Sequence, residues 1–327
     1  MSLYAFTLVV IILSYLLTFF VRKWAIHKSI LDLPNDRSSH TIPTPRGGGI
    51  AVAAVWFLGL IILFWQGQIV KPLFFALLCG IPLSLIGFLD DVFNLKPATR
   101  FGIQLLSALA GLIILGGLQH VDVGFYTINW YWVLFPVALI GIIWSINLFN
   151  FLDGIDAYIG SESAFIGLSV YILFGDKLGL LLTSSVAGFL IWNWPKAKIF
   201  MGDVGSTLIG FIVAILAIYF ENKGGSIITF LILSSVFWFD ATITLFRRWR
   251  NKEQLSQAHR KHAYQRIVQS GFGHQKTVLW SVGLNILGLI LAFLSEKYPL
   301  YKLAFLCFDI LILYITLKLV DRRNAFN

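Results

Sequence analysis

The feature that most constrains this chain is a series of apolar runs, each nearly long enough to cross a lipid bilayer as a helix. A transmembrane helix needs about 20 predominantly apolar residues. Eleven stretches approach that length: residues 2–21, 47–66, 71–89, 101–118, 130–148, 159–174, 178–194, 206–220, 226–246, 277–294 and 300–320. Only 13% of the 327 residues are charged, about half the share found in soluble domains. We therefore predict an all-α polytopic membrane protein with eleven transmembrane helices, or ten, in a single domain covering 1–327.

The distribution of lysine and arginine predicts how these helices are oriented. If the N-terminus lies outside and the spans alternate, 20 of the 25 basic residues fall in inner segments, as expected for cytoplasmic loops. The C-terminus is then cytoplasmic. Arg22 and Lys23 follow the first apolar run instead of preceding it, so we expect a permanent helix rather than a cleaved signal. Topology accounts for the net charge of +9, and no nucleic-acid partner is predicted.

The polar segments of the chain all fall on the predicted cytoplasmic side. They are residues 32–49, 90–100, 147–158, 194–206 and 247–276. The outer connections, such as GDK, ENKGGS and SEKYP, are short and ordinary. This asymmetry predicts an active face in the cytoplasm, built from five loops on a bundle embedded in lipid.

The segment NLFNFLDGIDAY, residues 147–158, places Asn147, Asn150, Asp153 and Asp156 at steps of three. Residues three apart are neighbours on a helix. Amide and carboxylate oxygens are ligands that suit Mg²⁺, and acids at membrane depth indicate function. A polar helix end wetted at the interface is an equally weighted interpretation of this segment alone.

Two further acidic motifs are candidates for the same site. Asp90 and Asp91 end an apolar run, and adjacent helical residues point about 100° apart. One could hold a cation while the other handles a proton, and the alternative for this pair alone is an acidic helix end without a function in the site. Asp203 lies in FMGDVGS between two glycines, which permit close approach to a ligand. Asp203 or Ser206 could instead cap the following helix.

The basic loop after the ninth apolar run is predicted to contain a helix over 256–269, capped by Ser256. This places His259, His262 and Arg266 on one face, where they could bind phosphate oxygens. Binding of anionic lipid is the main alternative. Zinc is disfavoured because no third soft ligand lies nearby. The loop 32–49, rich in proline and glycine and carrying Arg46, is expected to be a site wall or positioning loop.

In combination, these motifs resemble a known enzyme family. The pair DD at 90–91, NxxNxxDGxD at 147–156, FMGDVGS at 200–206 and HRKH at 259–262 occur in the order found in polyprenyl-phosphate N-acetylhexosamine-1-phosphate transferases, the superfamily of MraY and WecA. The PTPRGGG loop fits as well. The segment AHRKHAYQRI is more similar to the WbpL-like branch that initiates O-antigen synthesis.

The resemblance implies a reaction, a compartment and a metal. A hexosamine 1-phosphate would pass from a UDP-N-acetylhexosamine to undecaprenyl phosphate, releasing UMP, as the first step of O-antigen or other cell-surface polysaccharide synthesis. The enzyme would lie in the bacterial inner membrane with its site facing the cytoplasm. It would use Mg²⁺, with Mn²⁺ as the alternative. The oligomeric state, monomer or homodimer, stays open.

The resemblance also implies roles for individual residues. Asp203 and Asn150 would bind the metal, Asp90 or Asp91 would deprotonate or position the lipid phosphate, and Asp153 and Asp156 would order the nucleotide or the metal. Phe200 would stack on uracil and Arg100 would meet the lipid phosphate. The remaining nucleotide and sugar-phosphate contacts would come from His259, Arg260, His262, Arg266, Asn147 and Arg46. Asp240 matches a further acid of the family, with a catalytic or a structural role.

One position departs from the family pattern, which is DGxDG where this chain has Ala157. If residue 157 needs a positive φ, alanine costs roughly 1 kcal/mol there; in a helix it costs nothing.

A scaffold with an inactive site is therefore one alternative function. A secondary transporter is another, disfavoured because the acids cluster at one interface and no repeat is visible. A GlcNAc-specific enzyme of the WecA type is the third. The sugar and the choice between one-step and two-step transfer stay open.

Overall fold

Most of the described part of the chain is helical. The computed structural model describes residues 3–34, 42–255, 257 and 259–326. Its helices are α1 (Leu3–His27), α2 (Gly49–Trp65), α3 (Lys71–Leu78), α4 (Ile81–Phe93), α5 (Pro97–Ile114), α6 (Tyr131–Phe151), α7 (Tyr158–Phe174), α8 (Lys177–Asn193), α9 (Asp203–Asn222), α10 (Ile227–Leu233), α11 (Ser235–Arg250), α12 (Ala263–Gln269), α13 (His274–Lys297) and α14 (Lys302–Arg323). Two antiparallel pairs of short strands join β1 (Leu31–Asp32) to β2 (Thr44–Pro45) and β3 (Val121–Asp122) to β4 (Thr127–Ile128).

The helices confirm an all-α polytopic membrane protein. Within the described residues, seven segments are long and apolar enough to cross a bilayer, with α3 and α4 together forming one of them. An eighth is added if α10 and α11, bent by 78°, make one span. The helices α2, α7 and α8 are apolar but shorter. All eleven predicted stretches fall on these helices, whereas the number that crosses the membrane stays a prediction.

The helix α9 lies at the centre of the bundle and organises the site. Its side chains are almost all buried, and it packs against α2, α4 and α6. The Ser145 hydroxyl on α6 donates to the Gly210 carbonyl on α9 at 2.7 Å. The ends of α4 and α6 that carry the acidic and amide motifs are therefore held beside the first turn of α9.

The helix α6 ends earlier than the spacing of polar residues suggested. It stops at Phe151, so Asn147 and Asn150 lie on the helix while both acids of the motif lie in the turn 152–157. The chain turns back there because Ala157 adopts φ +63° and α7 begins at once. The prediction that the polar series continues along one helix is therefore wrong for Asp153 and Asp156.

The helix predicted over 256–269 is also wrong at its start. The observed helix α12 begins at Ala263, and Ser256, its predicted cap, lies outside the described residues. Asp240 on α11 supplies the cap instead, since its carboxylate accepts hydrogen bonds from the Ala263 N–H at 2.8 Å and the Tyr264 N–H at 3.3 Å. This distant acid cannot be recognised as a cap from local sequence.

Candidate active site

An acidic cluster lies where α4, α5 and α9 meet. Arg100 on α5 bridges two acids, with Nη1 at 2.6 Å from Asp90 Oδ2 and 3.2 Å from Asp203 Oδ2. The other oxygen of Asp90 accepts the Leu95 N–H at 2.7 Å. Asp203 is the first residue of α9, and the helix cap is Gly202. The structure therefore brings Asp90 and Arg100 of one predicted loop together with Asp203 of another.

Asp91 has different surroundings from Asp90, as the 100° helical step predicts. Its Oδ1 accepts the Asp203 N–H at 3.3 Å. Its Oδ2 is buried and has no hydrogen-bond partner among the described residues. A buried carboxylate oxygen without a partner is costly, so this atom is free to accept a proton or a cation.

Asp153 joins the cluster from the turn after α6. It accepts a hydrogen bond from the Gly202 backbone and lies close to Asp203. Burial raises the pKa of Asp153 to about 7, and the negative charge of Asp203 adds to this effect. Arg46 opposes the rise, and its guanidinium is held 2.8 Å from Asp32. The site thus gathers more negative than positive charge.

The two asparagines of α6 line a cavity beside the acids. Asn150 donates from Nδ2 to the Ser206 hydroxyl at 3.2 Å and also hydrogen-bonds Asp203. Asn147 donates to Gln104 Oε1 at 3.0 Å. The cavity has a volume of about 300 Å³, and its remaining lining is largely apolar. That lining comprises Leu83, Ile86, Gly87, Pro97, Arg100, Phe101, Phe151 and Thr207, with Asp203 at its polar end.

Two loops form the adjoining wall. The Gly48 N–H donates to the Phe200 carbonyl at 2.9 Å, and the Gly49 N–H donates to the Met201 carbonyl at 2.8 Å. The Phe200 N–H returns a bond to the Pro45 carbonyl at 2.8 Å. The described part of the 32–49 loop therefore positions the loop before Asp203, while residues 35–41 lie outside the described chain.

Asp156 connects three segments instead of facing Asp203. Its Oδ2 lies 3.1 Å from His274 Nδ1 and accepts the Ala197 N–H at 3.2 Å. The carboxylate thereby fixes the 194–202 loop against the start of α13. Sequence reasoning missed His274, because a single histidine at a helix start belongs to no motif.

The histidine loop, residues 259–262, leads into the first residue of α12. His262 precedes the helix and its Nδ1 lies 3.6 Å from Asp240 Oδ1, while its ring centroid is 4.9 Å from that of His259. Burial lowers the pKa of His259 to about 4, helped by the neighbouring His262 and Arg248. His259 is therefore neutral at pH 7 and acts as a hydrogen-bonding group rather than a cation. Asp240 has a structural role, because it holds the start of α12, and its catalytic role stays a prediction.

Tyr264 joins the histidine loop to the turn that carries Asp153. Its hydroxyl donates to the Phe151 carbonyl at 3.4 Å, and its ring stacks on Tyr158 with centroids 4.7 Å apart. A Cβ on Gly154 would overlap this hydroxyl. Sequence reasoning missed Tyr264 as well, since an aromatic residue in a short helix usually only fills a core.

Arg266 is not part of the acidic cluster. It is 2% exposed, lies 2.9 Å from Asp321 Oδ1 and donates to the Asn324 carbonyl at 2.7 Å. The predicted alignment of His259, His262 and Arg266 on one helical face is wrong, because both histidines precede the helix. Arg260 lies in the same non-helical loop, and its carbonyl accepts a bond from Gln269.

Comparison with known proteins identifies the family. The profile described as glycosyl transferase family 4 matches residues 73–221. A Bacillus subtilis (strain 168) protein named a probable undecaprenyl-phosphate N-acetylglucosaminyl 1-phosphate transferase is 30% identical over 314 residues, covering 91% of this chain and 86% of that protein. This chain belongs to the polyprenyl-phosphate hexosamine-1-phosphate transferase superfamily. It is a glycosyl-1-phosphate transferase.

Other members of the superfamily match a similar share of the chain. The undecaprenyl-phosphate alpha-N-acetylglucosaminyl 1-phosphate transferase of Thermotoga maritima is 28% identical over 308 residues, covering 94% of this chain and 96% of that protein. The enzyme of the same name from Escherichia coli O157:H7 is 30% identical over 323 residues, covering 90% and 86%. The aligned region extends over all the loops that build the site.

The side chains of the candidate active site are of the kinds that bind a magnesium ion. In the described ranges, no three histidine, cysteine or acidic side chains form a complete metal cage. Mg²⁺ needs no such cage, because one or two carboxylates, substrate phosphates and water are its usual ligands. The unpartnered Oδ2 of Asp91 and the excess of carboxylates around Asp203 suit the binding of a cation. Asn150 presents its amide nitrogen to Asp203. Its amide oxygen would bind the metal only if the side-chain amide were flipped.

Ala157, the departure from the family pattern, adopts the left-handed conformation at φ +63° and is fully buried. Its N–H donates to Asn193 Oδ1 at 2.9 Å, which fixes the turn. We expect Ala157→Gly to raise the free energy of unfolding by zero to about 1 kcal/mol. Relief of backbone strain stabilises the folded variant, and the greater entropy of glycine in the unfolded chain offsets part of this gain.

Thermal unfolding in detergent measures this effect, with Ala54→Gly on the exposed face of α2 as the control. The control should lose up to about 1 kcal/mol, the usual cost of glycine inside a helix. UMP release by Ala157→Gly should stay within a factor of two of the wild type. If Ala157→Gly were destabilised as much as the control, residue 157 would not be strained in the wild-type protein.

Gly154 and Tyr264 offer a test of the contact between the histidine loop and the Asp153 turn. We expect Gly154→Ala to lower kcat/KM for the nucleotide sugar at least tenfold, because the added Cβ displaces the tyrosine hydroxyl. Tyr264→Phe alone should have a small effect, since its hydrogen bond is long. The double variant should recover most of the activity, because the nearest ring carbon then lies 3.1 Å from the new Cβ. If the losses of kcat/KM in the two single variants added up in the double variant, this contact would not be the cause of the loss in Gly154→Ala.

Proposed function

We propose that this protein transfers an N-acetylhexosamine 1-phosphate from a UDP-sugar to undecaprenyl phosphate, giving undecaprenyl-diphospho-N-acetylhexosamine and UMP. The observation that carries the proposal is the acidic cluster around Arg100 and Asp203 at the polar end of a cavity whose lining is otherwise a mixture of apolar side chains and a few uncharged polar ones. Such a cavity suits a phosphate attached to a long hydrocarbon chain. The names of the relatives favour N-acetylglucosamine as the first sugar to test.

The reaction joins an oxygen of the lipid phosphate to the β-phosphorus of the donor. The bond from that phosphorus to the oxygen bridging the α-phosphate breaks, and UMP leaves with the bonding electron pair. Arg100 would hold the lipid phosphate while it neutralises Asp90. Asp91, with its free Oδ2, would accept the proton of a protonated lipid phosphate. A two-step route would instead form a phosphoryl bond to an aspartate first.

Positioning and charge neutralisation contribute most of the catalysis in phosphoryl transfer. Mg²⁺, or Mn²⁺ in its place, would supply positive charge to the diphosphate. Asp203 would be its principal protein ligand, with Asn150 as a second. Asp153 and Arg46 would set the balance of charge around the transferred phosphate, since both already interact with the acidic cluster.

The donor would lie along the wall formed by the 42–49 and 194–202 loops. Phe200 is half-buried at this wall and would stack on uracil. Asp156 would orient the nucleotide through the loop that it fixes at Ala197. His259, Arg260 and His262 would contact the diphosphate or sugar, with Asn147 farther along the cavity.

The proposal includes a topology and a cellular role. Eleven crossings with the N-terminus outside would place these loops at the cytoplasmic face of the bacterial inner membrane, as the distribution of 20 of 25 basic residues supports. Labelling of Lys196→Cys and Lys223→Cys from each side of the membrane tests this orientation. The product would initiate a cell-surface polysaccharide such as O-antigen.

Assay of UMP release in detergent with undecaprenyl phosphate tests the donor and the metal. We expect one of the UDP-linked derivatives of GlcNAc, FucNAc and QuiNAc to be turned over. Activity should disappear on chelation and return with Mg²⁺ or Mn²⁺, because the acids around Asp203 outnumber the arginines that pair with them. Release that continues without divalent metal would contradict the proposed role of Asp203.

A further inference from the structure

A cluster of cations lies away from the active site, between the ends of α11 and α14. Arg247 on α11 makes two bonds of 2.8 Å to Asp321 on α14. Arg266 on α12 lies 2.9 Å from the same carboxylate. Paired bonds of this kind between arginine and carboxylate are strong and fix geometry. Asp321 therefore ties α14 to both α11 and α12.

The cluster has more positive than negative charge. Three cations surround the Phe326 ring: the guanidinium carbons of Arg247 and Arg266 lie 5.2 and 5.4 Å from its centroid, and the Lys261 ammonium lies 5.6 Å away. Lys261 also pairs with Glu253 at 2.8 Å. Arg266 is buried, yet its Nε and Nη2 have no hydrogen-bond partner within the described ranges. The single carboxylate of Asp321 thus pairs with two arginines, which together have more hydrogen-bond donors than the carboxylate can accept.

A cavity opens beside this cluster at the end of α11. Its volume is about 400 Å³, and it is lined by Arg247, Arg250, Asn251, Asp321, Ala325 and Phe326. Arg250 is exposed at its edge. On the same helix, Phe246 and Trp249 are 53% and 65% exposed. Exposed aromatic residues beside arginines at the end of an apolar helix are typical of the membrane–water interface.

We propose that this cavity binds the phosphate headgroup of an anionic phospholipid from the adjacent leaflet. Arg247, Arg250 and the Asn251 amide supply donors for phosphate oxygens, and the exposed aromatic residues would contact the acyl chains. The interfacial position favours a lipid over free phosphate, because the membrane concentrates anionic headgroups at this depth. The site uses none of the residues proposed for the transfer reaction.

The ligand would also stabilise the histidine loop. Asp321 joins the cavity wall to Arg266 on α12, and Tyr264 on the same short helix reaches the Phe151 carbonyl beside the Asp153 turn. A headgroup that holds Arg247 and Asp321 in place therefore restrains α12 through direct contacts. This link does not depend on which sugar the enzyme uses.

Thermal unfolding in nanodiscs of defined lipid composition tests the proposal without measuring activity. The wild-type protein should unfold at a higher temperature in discs containing phosphatidylglycerol than in discs of phosphatidylcholine alone. Arg250→Gln should lose at least half of this difference, and high salt should reduce it in the wild type. Lys223→Gln, which removes one exposed charge from another connection, should retain it.

Three results would overturn the proposal. The first is equal unfolding temperatures of the wild type in the two kinds of disc. The second is a full phosphatidylglycerol effect in Arg250→Gln. The third is an equal stabilisation by inorganic phosphate in neutral discs, which would make the cavity a site for free anions instead of lipids. Because none of these readouts uses the transfer reaction, failure here leaves the proposed function untouched.

Discussion

Asp203→Asn is expected to reduce the rate of UMP release by about 10³-fold or more while leaving the protein folded. The substitution keeps the shape of the side chain, so the first turn of α9 is retained. It removes the charge that attracts Arg100 at 3.2 Å and the principal proposed ligand of the metal. Removal of one group that stabilises developing charge typically costs about 10²–10³ in kcat, and the simultaneous loss of a metal ligand adds to this.

Asp176→Asn is the matched control for this experiment. Asp176 caps α8 by accepting the Leu178 N–H at 2.7 Å, and asparagine is an equally good cap. The control should therefore keep both its activity and its unfolding temperature. If Asp203→Asn retained more than a tenth of the wild-type rate in the same assay, Asp203 would not bind the reacting groups.

Gly202→Ala is expected to be strongly damaging although it replaces no charged residue. Gly202 has φ +75° and ψ 177°, a region nearly restricted to glycine, in which other residues pay about 1–3 kcal/mol. Its Cβ would also overlap Asp91 Oδ2. The variant must either move Asp91 or shift the start of α9, and both changes displace Asp203 from its partners.

We expect this variant to lose at least about 100-fold in kcat, since misplacement of reacting groups by about 1 Å has that cost, together with a clear drop in unfolding temperature. Gly141→Ala is the control, because Gly141 is helical within α6 and no other side chain or neighbouring segment lies within 4 Å of an added Cβ. It should be neutral or slightly stabilising. Wild-type activity in Gly202→Ala would show that the close approach to Asp91 is not needed.

Much of the fold can be predicted from the sequence because apolar helices are encoded locally. Each of the eleven predicted stretches corresponds to an apolar helical segment, and the different partners of Asp90 and Asp91 follow from the helical step. The early end of α6 could not be predicted in this way. It depends on Ala157 adopting a positive φ, which alanine rarely does unless contacts such as the bond to Asn193 impose it.

The parts of the site that sequence reasoning missed depend on contacts between distant residues. Asp240 caps α12 across 23 positions of sequence, and His274 meets Asp156 across 118. Tyr264 matters through its fit against Gly154, which no spacing reveals. Motifs identified the acids that could carry the chemistry, whereas these uncharged or isolated residues determine how the acids and the histidine loop are held.

The most direct test of the proposed reaction follows the β-phosphate of the donor. Purified protein in detergent would be incubated with Mg²⁺, undecaprenyl phosphate and UDP-GlcNAc labelled with ³²P at the β-phosphate, and then extracted into butanol. We predict that the label enters the lipid phase together with release of unlabelled UMP, and only when undecaprenyl phosphate is present. Label that stays in the aqueous phase as UDP while the sugar enters the lipid would show transfer of the sugar alone and would contradict the proposed phosphosugar transfer.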